Sequence, residues 1–154
     1  MPRLKLFQVA ALAAMLLLTA CGAEPEDTRP GQPVAKRKAV FKQIMRTLEP
    51  MGMVARNRQD YDRGGFLAAA RELQQLATQP WVHFTPDSNY PPTRAKSDVW
   101  QKPAEFSRAR EQFQASTERL VKAAEHGDLE AIRPVVNEVE KSCQTCHRQF
   151  RSGT

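Results

Sequence analysis

From residue 34 onward, apolar side chains return in alternating steps of three and four: Val34, Phe41, Ile44, Leu48, Met51 and Ala55. That period gathers them on one face of an α-helix. One place in the pattern is filled against type by Arg37, which sets a guanidinium on the face that should enter the core. Pro50 lies inside the run and predicts a bend or a weakened turn, because it removes a backbone donor. A second stripe, Phe66, Ala69, Ala70, Leu73, Leu76 and Ala77, predicts a helix from Asp62 to Thr78 with Asp62 as its cap. Further on, Phe106, Phe113 and Leu120 recur behind Pro103, a residue suited to a first helical turn, until His126 and Gly127 end the third helix. Asp128 caps a fourth segment whose seam runs Leu129, Ile132, Val136, Val139, Cys143, Cys146 and Phe150. Pro134 interrupts its start, so regular helix is predicted only from there. Residues 79–102 hold Pro80, Pro86, Pro91, Pro92 and both tryptophans, Trp81 and Trp100, which reads as an ordered crossover pinned by aromatics. The pattern predicts an all-α fold: an antiparallel four-helix bundle with one long crossover between helices 2 and 3.

The front of the chain does not belong to that bundle. Arg3 and Lys5 precede an apolar run from Leu6 to Leu18, too short to span a membrane and suited to a secretion signal over residues 1–20. Leu18, Thr19, Ala20 and Cys21 resemble a bacterial lipobox, which predicts lipidation of Cys21. A cut after Ala23 by ordinary signal peptidase would leave no anchor, but Leu18 is too large for the conventional cut before Cys21 and favours the lipoprotein reading. Several acyl chains would make a stable anchor. Gly22, where an Asp would retain such a protein at the inner membrane, implies by the same resemblance a periplasmic protein on the outer membrane. Residues 21–33 then read as a lipidated, proline-bearing tether, and residues 34–154 as the folded domain.

Composition adds little beyond this. The 154 residues suffice for one core, and loss of Arg3 and Lys5 with the leader lowers the formal charge from +6 to +4. No stretch resembles a nucleic-acid module. The first helix and the residues just after it are basic, with Lys36, Arg37, Lys38, Lys42, Arg46, Arg56 and Arg58 against the single acid Glu49, a face suited to an acidic redox partner, to anionic lipid or simply to water.

The chemistry sits at the end of the chain. Cys143, Gln144, Thr145, Cys146 and His147 form C-x-x-C-H, the attachment signature of a c-type haem. On a helix, thiols at i and i+3 share a face and can bond covalently to the two vinyl groups of one haem edge, while the imidazole at i+4 reaches the iron. A zinc site would need a fourth ligand, and the other histidines, His83 and His126, fall in the crossover and at a distant helix end. A redox dithiol would expect a βαβ setting, and a disulfide across one helical turn is poorly shaped.

With this motif near the end of the last helix of an exported four-helix bundle, the sequence resembles the cytochromes c′. "RKAVFKQI" in the first helix, "QPWVHF" and Trp100 in the crossover, and "AAEHGDLEAI" between the last two helices carry the likeness further. The lipobox departs from a mostly soluble family. The resemblance implies one haem c with its iron on His147 and thioethers at Cys143 and Cys146. It also implies Arg37 near a haem propionate, Phe41 on the open side of the ring, and Arg151 on the proximal side. Phenylalanine cannot ligate iron, so the implied haem is five-coordinate and high-spin, open to NO and CO, and binds oxygen poorly for want of a hydrogen-bond donor. This describes a binding protein and not an enzyme, since no acid or base stands beside Phe41. Low-spin relatives carry a methionine ligand on the first helix, and Met45 is the nearest candidate for an electron-transfer alternative, although the seam turns Ile44 inward. Members of the family often pair through their first two helices, which implies a homodimer.

Overall fold

The structure, a computed structural model, describes residues 25–153. The secretion signal, Cys21 and Gly22 lie outside the described residues. Four long helices make up the bundle: α1 (Pro33–Ala55), α2 (Arg63–Leu76), α3 (Pro103–His126) and α4 (Leu129–Phe150). Each packs against two others, α1 against α2 and α4, and α3 against α2 and α4. The short links after α1 and after α3 make each pair antiparallel. Between α2 and α3 the crossover contains a 3₁₀ turn (Pro80–His83) and a single α-turn (Asp98–Gln101).

The helix ends follow the residues that cap them. The Asp62 carboxylate accepts hydrogen bonds from the amides of Gly64 and Gly65 at the start of α2. Gly127 ends α3 in the left-handed region at φ 76°. A side chain there would also collide with the Arg63 guanidinium, which packs directly over it.

α1 runs through Pro50 as one helix, with Leu48, Met51 and Val54 buried on either side of it. Two expectations change. α4 starts at Leu129 and not at Pro134. Asp128 caps it through the Glu130 amide, Ile132 is fully buried, and Arg133 donates to the Ala55 carbonyl and to Asn57 Oδ1. With the first turn anchored that firmly, the proline costs one backbone bond and not a helical turn. The second change lies upstream of α1. Asp27, within the stretch read as tether, is buried and serves as the cap of α1: its Oδ2 accepts from the amides of Val34 and Ala35 at 2.9 and 3.1 Å. Tyr90 of the crossover donates to its other oxygen at 2.9 Å, and the Arg29 guanidinium lies over the Tyr90 ring. Asp27 therefore belongs to the folded domain. Burial opposes ionisation of this carboxyl, but the donors from Ala35, Tyr90, Arg29 and Val34 together hold it below its ordinary value.

Candidate haem-binding site

Cys143, Cys146 and His147 occupy the last two turns of α4, at the end of the bundle where α1 and α3 begin. Cys143 is half-buried and packs on the apolar core, Cys146 is half-buried, and both thiols are free. Burial pushes the Cys143 thiol up to about 11 and raises that of Cys146 in the same direction. Both therefore stay as thiols near neutrality, the form that can add across a vinyl group, and neither has the thiolate character of a redox dithiol. Desolvation, and then the charges of Arg151 and Arg94, hold His147 below its ordinary value. A neutral imidazole is the form that ligates a metal. Among the described residues, no three His, Cys, Asp or Glu side chains converge as a metal site, so His83 and His126 do not complete a zinc centre with the two thiols.

A cluster of aromatic rings drawn from four elements reaches the last turn of α4 through Phe150. Phe41 of α1 meets Trp81 edge-on at 5.9 Å and Phe84 at 6.3 Å. Phe84 contacts Phe106 of α3 at 5.0 Å, and Phe106 contacts Phe150 of α4 at 5.2 Å. The Trp81 indole is fixed by donation to the Ala77 carbonyl, and that of Trp100 by donation to the Thr85 carbonyl. These are large apolar surfaces, yet Phe41, Trp81, Phe84 and Phe106 are only half-buried, as is Cys143. Apolar rings left partly uncovered beside two thiols and a neutral imidazole suit a flat, apolar macrocycle joined through its edge and ligated at its centre.

Arg37 packs on this cluster. Its side chain is buried, with Cζ 4.6 Å from the centroid of the Phe84 ring. Nη1 donates to the His83 carbonyl and to Ser88 Oγ, both at 2.8 Å; Nη2 donates to the Ser88 carbonyl at 2.9 Å and to Thr93 Oγ1 at 2.7 Å. The crossover thus takes all four N–H groups on the terminal nitrogens. A propionate could meet Arg37 only through Nε or by displacing one of these partners. Desolvation lowers its pKa, opposed by the fields of Tyr90 and Asp27. Asp27 is thus the nearby anion that offsets the buried charge.

Arg151, the residue after α4, donates its amide to the His147 carbonyl at 3.0 Å, and its charge reaches the imidazole. Phe41 joins the aromatic cluster, whereas Met45, one turn on, is 52% exposed while Ile44 beside it is 3% exposed. The sequence places Phe106 on the α3 stripe and Trp81 and Trp100 in the crossover, but does not mark these residues and Phe84 as one group. Their grouping was signalled only by the density of aromatics in "QPWVHF" and the later Trp100.

A family model described as Cytochrome C′ matches residues 32–151. The chain is 28% identical over 129 residues to a cytochrome c′ of Alcaligenes xylosoxydans xylosoxydans, covering 84% of this chain and 96% of that protein. It is 29% identical over 136 residues to the cytochrome c′ of Halomonas halodenitrificans, covering 84% and 99%. Among solved structures, a carbon monoxide-bound variant of cytochrome c prime from Alcaligenes xylosoxidans superposes with a TM-score of 0.77 at 26% identity, over 83% of this chain and all of that one. A nitric oxide complex of another variant from the same organism gives 0.78 at 26% identity, over 84% of this chain and all of that one.

Proposed function

The chain belongs to the cytochrome c′ family, matched over residues 32–151, and from that premise we propose that it is an exported, five-coordinate, high-spin haem protein that takes up NO and CO and can change oxidation state by one electron. Members of this family bind one covalently attached haem c with its iron. When bound, that group supplies an iron with a coordination position for a diatomic gas. The chain supplies the rest. Cys143 and Cys146 would hold that group covalently, His147 would offer it a neutral imidazole, and the rings of Phe41, Trp81 and Phe84 would keep water from it. Phe41 has no hydrogen-bond donor, which disfavours dioxygen relative to NO and CO. It also has no acid or base, which fits binding without turnover.

The observation that carries this reading is the contrast between Phe41, half-buried against Trp81 and Phe84, and Met45, turned to solvent. The alternative of a low-spin electron carrier needs Met45 on the iron, and α1 would have to rotate to bring it there.

Export and anchoring extend the proposal to residues outside the described ones. Lipidation of Cys21 would tie the protein to the periplasmic face of the outer membrane. Because Asp27 is locked to α1, only six residue steps separate it from Cys21, a reach of at most roughly 20 Å. The haem domain would then ride close to the bilayer. The basic face of α1 suits an acidic redox partner, and the family resemblance suggests a homodimer.

The test is the optical and EPR spectrum of the haem-loaded protein, ferric and ferrous, with and without NO and CO. A high-spin spectrum that shifts with both gases is expected. A low-spin spectrum indifferent to CO would replace this reading with the electron carrier.

A further inference from the structure

A relay of hydrogen bonds runs from α1 to the turn that follows His147. Arg37 holds Thr93 Oγ1, which also accepts the Ala95 amide at 3.1 Å. Ala95 lies opposite Arg151 in an antiparallel bridge. The Lys96 amide there donates to the Phe150 carbonyl at 2.8 Å, and the Ser152 amide donates to the Arg94 carbonyl at 2.8 Å. Lys96 Nζ adds a bond to the Arg148 carbonyl at 2.9 Å. The last turn of α4, where helix ends ordinarily fray, is therefore strapped from outside by residues 94–96 of the crossover.

What orders the strap is polar. From residue 86 to residue 96 no apolar side chain is buried, and the one buried residue is Ser88, held by Arg37 on both its hydroxyl and its carbonyl. Hydrophobic burial cannot fix this stretch, so its order comes from the Arg37 fork, with the Asp27–Tyr90 bond as a second anchor.

We propose that Arg37 is also a positioning residue for His147, acting through Thr93 and the 94–96 strap. The proposal rests on His147 being the iron ligand, as argued above. Of the four bonds from its terminal nitrogens, the one to Thr93 Oγ1 feeds the strap, and those to His83 and Ser88 hold the crossover leading up to it.

The full-length, haem-loaded protein tests this with Thr93→Val, which removes the relay oxygen without touching a charge, and with Arg37→Lys, which keeps the charge but loses the fork. In both, amide hydrogen exchange at Lys96 and Ser152 should accelerate about tenfold or more, and the ferric EPR signal should broaden as the imidazole samples more orientations. Unchanged exchange and lineshape in Thr93→Val, with changes confined to Arg37→Lys, would show that Arg37 does not act through Thr93 and the strap and would overturn the proposal. Faster exchange with an unaltered EPR signal would also overturn it, by reducing the strap to a stabilising contact. Covalent haem is measured first in the wild-type chain. Its absence would sink the function proposed above, while the exchange rates bear on the strap alone.

Discussion

The two ends of the bundle are built from the same four helices but closed by different chemistry. At the far end, Met51, Leu120, Ile132 and Val136 belong to one core with essentially no exposure. Each is an aliphatic or thioether chain whose full burial contributes roughly 1.5–3 kcal/mol. At the motif end Val34 and Phe150 are buried, but Phe41, Phe106 and Cys143, met by Trp81 and Phe84 from the crossover, stay half-buried. A core filled to native density has no room for a cofactor. An end that must receive one needs apolar surface left uncovered, and the half-buried rings of Phe41, Trp81, Phe84 and Phe106 provide it. What aliphatic packing does for the far end, the Arg37 fork and the Asp27 cap add at the motif end: they hold the crossover and the start of α1 in place with directional bonds.

That contrast can be broken at either end. The largest effect is expected from replacing both Cys143 and Cys146 with Ser. A haem-stained denaturing gel should show complete loss of covalently held haem, and circular dichroism should still report a helical protein, because neither thiol belongs to the sealed end. The next is Leu120→Ala in that sealed end, which should cost about 2–5 kcal/mol in denaturant unfolding while the spectrum of the loaded haem keeps its spin state. A change of spin state in that variant would mean that the two ends are not separable. The smallest concerns the seam between tether and bundle. The folded-state pKa of Asp27 is depressed, so its contribution is fully present above its ordinary value of 3.8 and is lost as pH falls through the folded value. Asp27→Ala should therefore lower the melting temperature at neutral pH, and the gap to wild type should shrink in acid. A gap that stayed constant down to the acid limit would show that Asp27 is not ionised in its role as cap.

How much of this the sequence revealed depends on how far apart the interacting residues lie. The period of Phe41, Ile44, Leu48 and Met51 placed α1, and Asp62, Gly127 and Asp128 marked helix ends that the structure keeps. Pro134 misled, because a helix start is judged locally, and the anchor that tolerates the proline is Arg133 reaching across to Ala55 and Asn57. Arg37 was visible as an anomaly on the seam, but its partners were not.

The sequence by itself determined the four helices, the all-α fold and the chemistry of the motif. Helical period and the i, i+3, i+4 placement of Cys143, Cys146 and His147 are set by residues a turn or less apart. Only the tertiary structure decided that Arg37 spends its terminal N–H groups on residues 46 to 56 positions away, and that a residue of the supposed tether caps α1 and binds Tyr90 across 63 positions. It also turned Met45 to solvent while Phe41 entered the aromatic cluster. Contacts closed over such long loops leave no periodic trace in the chain, since each depends on where the rest of the bundle brings its partner.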